Sequence, residues 1–403
     1  MTSGTSAIEL ETLTDAGEVR AAGDIFRTAM VGLPPLPREA DGLVEPGRTL
    51  GARLDGRLVG AADSYTSWLV VPGGERVPHA AVTHVGVLPT HTRRGVVSAL
   101  LRRQLADIAA RGEVVASLRA TQGGIYERFG YGVAGSYATL ELDRRQARLR
   151  DTVAQGGPVR YLDAENRWET LAKIYAAADI SWNGAVDRTP YWWRFQELVA
   201  GTAGWTVVHG EPGAEDGFLR YRPAAGTGWP RNPQRTVIVD DWVATTPTAY
   251  RGLLRHLLTH DIVDRIVVTF APVDSPLRHL FTDERVVTVA GVHDETWLRL
   301  VDVPTALERR SYRQAPPVVL AVTDDILPAN TGSYRIAADA VTRVDAPADL
   351  TTDVAALAAA YLGGSTWHQL ALAGRVRENR SGAIEGADDL FTTTSAPFAG
   401  TYF

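Results

Sequence analysis

The chain has 403 residues, 45% hydrophobic and 22% charged, with 10 Trp, 13 Tyr and 9 Phe; it is too long for one ordinary core, and two or three domains of about 100–150 residues are expected. It has no cysteine, which excludes disulfides, thiolate-bound zinc, iron–sulfur clusters and a cysteine nucleophile together, and no metal is expected. A net charge of −6 argues against a nucleic-acid partner. No stretch approaches the roughly 18 uninterrupted apolar residues of a membrane helix, and Met1 to Leu10 lacks a basic start followed by an apolar run, so a cytoplasmic protein with no membrane partner is expected.

In chain order, the first 145 residues read as mixed helix and strand. An amphipathic helix over Ala16 to Met30 precedes a loop with Pro34, Pro35 and Pro37. Strands over Arg48 to Leu54 and Arg57 to Val71 flank Asp55-Gly56, a pair suited to the positive φ angles of a tight hairpin turn. Ala80 to Leu88 is a strand ended by Pro89. Val97, Leu100, Leu101, Leu105 and Ile108 lay one apolar stripe on a helix that starts near Arg94 and closes at Arg111-Gly112. A strand over Glu113 to Leu118, a short helix over Gly123 to Phe129 and a strand over Ser136 to Leu142 come next.

Trp242 to Leu258 can be laid without a gap on Val85 to Leu101, matching Arg251-Gly252 with Arg94-Gly95, and an apolar strand, Ile266 to Phe270, follows the second copy. Either a tandem of two related units or two unrelated strand–helix units would read this way. Beyond a junction at Leu298 to Val303, strands are expected at Val318 to Val322 and Gly332 to Ala337 and helices at Leu350 to Tyr361 and Trp367 to Ala373. The last residues, ending in Thr401-Tyr402-Phe403, carry no charged tail and are expected to dock.

Two motifs carry chemistry. Val82 to Ser98 combines a strand, a basic turn and a helix start. Unpaired N–H groups of a first helical turn, backbone access at Gly95 and the charges of Arg93 and Arg94 suit a pyrophosphate; the alternative is a solvated basic loop capping an ordinary helix. Downstream, Thr121 to Gly132 contains Tyr126. Tyrosine, with a pKa of about 10, keeps its proton at neutral pH until a stronger base appears; the alternative is a packed ring with its hydroxyl bonded to backbone.

These motifs resemble those of the GNAT superfamily of N-acetyltransferases. The family pattern of Gln or Arg, two residues, Gly, one residue, then Gly or Ala reads here as Thr92, Arg93-Arg94, Gly95, Val96 and Val97, so both outer positions depart from it. The resemblance implies that the pantetheine arm of acetyl-CoA pairs with Val85, Gly86 and Val87, that Arg93, Arg94, Gly95, Val96, Val97, Ser98, Thr121 and Gln122 complete the acetyl-CoA site, and that Tyr126 protonates the departing thiolate. The N–H of Val87 would polarise the thioester carbonyl. The second copy, with Ala249 and Tyr250 in place of Thr92 and Arg93 and no Tyr near Leu280-Phe281, is expected to bind no cofactor.

Over its whole length the chain is similar to the Eis-type (enhanced intracellular survival) acetyltransferases, chiefly at Val82 to Val97, Gly123 to Gly132, Trp297 to Tyr312 and Tyr361 to Gly364. The similarity implies an α/β (α+β) protein: a catalytic GNAT domain over 1–145, a degenerate GNAT-like domain over 146–300 and a sterol-carrier-protein-like domain over 301–403 that brings the Phe403 carboxylate to the site as base. An α-carboxyl ordinarily titrates near 3.3–3.7, so this role requires a dry site. The implied acceptor is a small-molecule amine, an aminoglycoside-like polyamine or a lysine side chain, met by Phe26, His84 and Tyr402, although no acid aligns within residues 26–34. A homo-oligomer, a hexamer, is implied too. The competing readings are a non-catalytic acyl-CoA or lipid-binding scaffold and an N-myristoyltransferase-like enzyme.

Overall fold

The structure, a computed structural model, describes residues 7–33, 35, 37–200, 203–225 and 234–403. Residues 1–6 of the expected N-terminal segment and Pro34 of the proline loop lie outside these. In chain order come β1 (Glu9–Thr12), α1 (Ala16–Met30), β2 (Leu50–Leu54), β3 (Arg57–Val70), β4 (Arg76–Val87), α2 (Val96–Ala110), β5 (Val115–Leu118), β6 (Gly132–Asp143), β7 (Val159–Tyr161), α3 (Arg167–Ala177), α4 (Pro190–Ala200), β8 (Trp205–His209), β9 (Gly217–Pro223), β10 (Thr236–Ala244), α5 (Pro247–Leu258), β11 (Arg265–Pro272) and β12 (Val287–Leu300). The remaining elements are α6 (Val303–Arg309), β13 (Val318–Thr323), β14 (Gly332–Ile336), β15 (Val341–Val344), β16 (Leu350–Asp353), α7 (Val354–Tyr361), α8 (Trp367–Leu372), β17 (Val376–Glu378) and α9 (Ala383–Phe391). Among the described residues no helix is long and apolar enough to cross a membrane.

The chain forms two compact units, one of residues 1–135, 182–198 and 295–403, the other of residues 136–181 and 199–294. In the first, β1 to β5 lie side by side in chain order, and residues 297–300 of β12 pair with β5. Local chemistry sets the elements: the Asp15 carboxylate accepts from Gly17 N and Glu18 N to start α1, and Asp55 and Gly56 take φ of 52° and 73° in the β2–β3 turn. β4 and β5 run parallel, joined by α2, whose Leu100, Leu101, Leu105 and Ile108 are buried.

The sheet β15-β14-β13-β16-β17 belongs to the same unit. Leu320 of this sheet, Leu357 of α7 and Trp367 of α8 share one core with Leu69, Val77 and Val115 of the N-terminal region, which is why residues 295–403 pack as part of this unit. The helix expected over Leu350 to Tyr361 is a strand and a helix: Leu350 pairs with Leu320 in parallel, and Asp353 caps α7 by accepting from Ala356 N at 2.7 Å. A strand-length run and a cap were hidden inside one apolar periodicity.

In the second unit the strand order is β6-β11-β10-β9-β8-β7, with β10 and β11 parallel and α5 between them in the chain. A second β–α–β element is therefore present, but the gapless overlay of Arg251-Gly252 on Arg94-Gly95 is wrong. α5 starts at Thr246, whose hydroxyl accepts from Ala249 N, with Pro247 in the first turn. Arg251 and Gly252 lie inside the helix. Gly252 is there for close packing: a Cβ on it would stand 2.6 Å from His209 Cδ2.

Candidate active site

The register of β3 against β4 steps from Asp63↔Thr83 to Ala61↔Gly86, two residues matched by three, so β4 carries one extra residue. This β-bulge contains His84 at φ 51°, a conformation a non-glycine residue adopts at a cost and one that clusters at functional sites. Pairing of β4 with β5 ends at Ala81↔Ser117 while β4 continues to Val87. The edge of Val85, Gly86 and Val87 is thereby left open toward β5, and an extended chain can add to such an edge by main-chain hydrogen bonds.

β4 leads into the basic turn. Leu88 N donates to Val59 O at 2.8 Å, Pro89–His91 form a single 3-10 turn, and the Thr92 hydroxyl donates back to Pro89 O at 3.2 Å. The side chain that departs from the family pattern is thus used to close the turn. Arg93 has φ 61° and Gly95 φ 83°. Gly95 is the N-cap of α2, and no side chain caps that helix; Val96, Val97 and Ser98 form its first turn, flanked by exposed Arg93 and Arg94. An uncapped helix start with two arginines fits a pyrophosphate, and the open edge fits a pantetheine, so the residues present suit acetyl-CoA.

The short helix expected over Gly123 to Phe129 is two 3-10 turns, Gly123–Ile125 and Glu127–Phe129, with Tyr126 between them. Two glycines at its start leave no helix propensity to extend a longer element. Thr121 and Gln122, both exposed, lead into it. Tyr126 is buried in a cluster with Phe129, Tyr131, Val85, Val97 and Trp297, its ring 6.0 Å from Tyr131 and 6.3 Å from Trp297. Burial raises its pKa above the ordinary value. Among the described residues its hydroxyl makes no hydrogen bond, so it is not spent on backbone.

The chain's last residues are held by a dense set of bonds inside this unit. Trp182 Nε1 donates to Phe398 O at 2.9 Å, Arg188 Nη2 to Gly400 O at 2.7 Å and Trp192 Nε1 to Tyr402 O at 2.6 Å. The buried Glu295 carboxylate on β12 accepts from Ala399 N at 2.7 Å and Gly400 N at 3.2 Å. Arg119 lies 3.4 Å from Glu295 and donates to the Thr401 carbonyl. The guanidinium also stands 5.5 Å from the Phe403 ring and 6.0 Å from that of Tyr402, which is otherwise exposed. Phe403 packs edge-on against His79 of β4, at 6.4 Å. His79 is fully buried between the Ser67 and Ser117 hydroxyls, at 3.0 and 2.8 Å, and its pKa is held down to about 3 by burial and by Arg119 and Arg48. A neutral imidazole therefore floors the terminus. The Phe403 carboxylate has no ion-pair partner among the described residues.

On the other flank Phe26 meets His84 edge-on at 4.9 Å, because α1 lies directly on β4 at Gly86, where a Cβ would stand 2.8 Å from Phe26 Cα. His84 Nδ1 is 3.5 Å from the buried Asp63 carboxylate, which also accepts from Ser64 N. His84, Asp63, Tyr191, Asp41 and Glu45 line a cavity of about 210 Å³, beside Tyr65, whose ring stacks on Tyr191 at 4.2 Å. The carboxylates Asp63, Asp41 and Glu45, the Tyr65–Tyr191 stack and the tail anchors Arg119, Glu295, Arg188 and Trp192 escaped the reading of the sequence. The aromatic run Tyr191-Trp192-Trp193 was the one local signal that could have pointed to them.

Residues 12–134 and residues 184–300 each match an acetyltransferase (GNAT) domain family, and residues 303–400 match the sterol carrier protein domain family. The chain is an acetyl-CoA-dependent N-acetyltransferase of the GNAT superfamily, with two GNAT domains ahead of a sterol-carrier-protein-like one. It is 33% identical to the N-acetyltransferase Eis of Mycobacterium tuberculosis over 85% of each chain, and 35% identical to an uncharacterised N-acetyltransferase of Streptomyces avermitilis over 88% of this chain and 89% of the relative. The crystal structure of Eis1 from Mycobacterium abscessus superposes with a TM-score of 0.91 at 49% identity, covering 98% of this chain and all of that one. The chain belongs to the Eis-type N-acetyltransferases.

Proposed function

We propose that the protein moves acetyl from acetyl-CoA to a primary amine of a small, polycationic acceptor or a lysine side chain, by direct attack. Acetyl-CoA supplies the activated acetyl group at Val85, Gly86, Val87, Arg93 to Ser98 and the Thr121-Gln122 step. The Phe403 carboxylate accepts the proton of the substrate ammonium, and the free amine attacks the thioester carbonyl while Val87 N–H stabilises the developing oxyanion. The carbon–sulfur bond breaks, and Tyr126 hands its proton to the departing sulfur. The observation that carries this reading is Tyr126: a buried ring beside Val85 and Val97 whose hydroxyl is protonated and makes no hydrogen bond among the described residues.

Phe26, His84 and Tyr402 meet the acceptor. The Asp63 carboxylate beside His84 in the adjoining cavity supports a cationic group there, while Asp41 and Glu45 are paired with Arg20 and Arg48. The test is release of free thiol from acetyl-CoA with spermidine, an aminoglycoside and a lysine peptide as acceptors. Turnover is expected with at least one of them and with no neutral alcohol; turnover with none would remove the polycationic class. By family resemblance the working form is a homo-oligomer, a hexamer, which light scattering checks.

A further inference from the structure

The second unit holds a cluster that acyl transfer does not use. The hydroxyl of Tyr221, a buried residue of β9, lies 2.9 Å from His256 Nε2, 3.1 Å from His260 Nε2 and 3.0 Å from the Tyr161 hydroxyl. His256 is in the last turn of α5 and His260 comes four residues later; their ring centroids are 5.2 Å apart. A phenol has one proton to donate, so it can serve one of these nitrogens and not both. His260 Nδ1 lies 3.2 Å from His256 O. A carbonyl only accepts, so Nδ1 carries the hydrogen and the Nε2 facing Tyr221 carries a lone pair.

We propose that His256 Nε2, His260 Nε2 and Tyr221 Oη form a binding site for a divalent transition metal ion, of the copper(II) and zinc(II) class. Among the described residues no three His, Cys, Asp or Glu side chains gather to hold a metal; here tyrosine supplies the third donor, against the expectation of no metal raised by the cysteine-free composition. Donors about 2.0–2.1 Å from a tetrahedral ion stand about 3.3 Å apart, so the two distances from Tyr221 Oη to the imidazole nitrogens need to open by only a few tenths of an ångström. On binding, the phenol proton leaves to solvent, the phenolate oxygen and the two imidazole lone pairs take the ion, and water completes the set. The bond from His260 Nδ1 to a carbonyl is the kind that orients a ligand imidazole. Both imidazoles are half-buried and Tyr161 is exposed, so solvent reaches the cluster. The ion would tie β9 to the end of α5 and stabilise the second unit by ligand linkage.

The test uses untagged, full-length protein stripped with a chelator. Zinc(II) and copper(II) are titrated by calorimetry, with the melting temperature and, for copper, the phenolate-to-metal charge-transfer band as further readouts. One ion per chain is expected, with a raised melting temperature. Affinity should fall at least tenfold in His260→Gln and in Tyr221→Phe, and the band should vanish in the latter. Tyr221→Phe keeps the buried ring, so it carries the decision if His260→Gln does not fold. The same affinity and band in folded Tyr221→Phe, or no saturable binding by the wild type, would overturn the site.

Discussion

Two stretches of the chain share one frame and differ in what joins it: β4–α2–β5 and β10–α5–β11. Each is a parallel pair with a helix between the strands, and each lead strand carries a bulge, at His84 in β4 and between Val239 and Asp241 in β10. Each pair also splays, since β10 pairs with β11 only through Val239↔Val268 yet runs on to Ala244. The difference lies in the connection. Residues 88–95 separate β4 from α2, and no side chain caps the helix. Only Thr245 and Thr246 separate β10 from α5, and the Thr246 hydroxyl both accepts from Ala249 N and donates to the Asp216 carboxylate at 2.6 Å. A carboxylate already stands at that helix start, and Trp242 stacks on Tyr250 at 4.7 Å beside it. A splayed strand pair is thus a frame and not yet a site; what the first copy adds is a basic turn leading to a helix start that no side chain caps, the feature on which the proposed phosphate site rests.

If Tyr126 is the acid that only the first copy possesses, Tyr126→Phe should lower turnover by about 10²–10⁴-fold with acetyl-CoA affinity unchanged, as read by calorimetry and a thiol-release assay. Unchanged turnover under conditions where chemistry limits the rate would reduce Tyr126 to packing. Next comes the chain end, which packs on β4 of the first copy. Amidating Phe403 by semisynthesis removes the charge and keeps the ring, and should cost about 10²-fold in rate while acetyl-CoA still binds. A folded, amidated protein working at the native rate would require another base.

A smaller effect concerns His79 of β4. Its folded pKa of about 3 lies below the unfolded value near 6.5, so the unfolded chain takes up a proton that the folded chain refuses between those limits. This contribution is complete above pH 6.5 and is lost as pH falls toward 3, at up to about 1.4 kcal/mol per pH unit. Urea denaturation at pH 7 and pH 5 should show a shallower pH dependence for His79→Gln than for the wild type; equal slopes would mean that His79 is not buried neutral.

Much of the frame was legible in the residues. The Asp55-Gly56 turn, the α2 stripe and the strand before Pro89 rest on short-range chemistry, and the structure keeps them. The bulge at His84 was not legible, because one extra residue leaves the apolar run of β4 unbroken. Nor was the tail clamp: Glu295 and Ala399 are brought together by the fold and not by any pattern in the chain. Leu350 to Asp353 read as helix because apolar residues continue into α7, and only pairing with β13 separates them. Tyr126 was reached through the resemblance of Thr121 to Gly132 to the GNAT family, whereas the acids around the cavity beside His84 come from two segments, Asp41 and Glu45 in one loop and Asp63 in β3.

The finest discrimination is between Gly95 and Gly252, which the sequence offered as equivalents. Gly95 has φ 83°, and a Cβ there would meet nothing closer than Ile8 Cδ1 at 3.8 Å. Gly95→Ala should therefore cost about 1–2 kcal/mol of conformational strain and, because the first turn of α2 must shift to relieve it, should weaken acetyl-CoA binding. Gly252 lies within α5 at an ordinary helical φ, where alanine gains about 1 kcal/mol in helix propensity. Against that gain, the new Cβ would stand 2.6 Å from Cδ2 of His209, a buried ring bonded to Asp216. Overpacking of this kind costs about 1–3 kcal/mol, so Gly252→Ala should be destabilised on balance and bind acetyl-CoA as the wild type does. Denaturation midpoints and calorimetric titration of the two variants separate the roles. An affinity loss confined to Gly252→Ala would put the phosphate turn in the second copy and break the assignment.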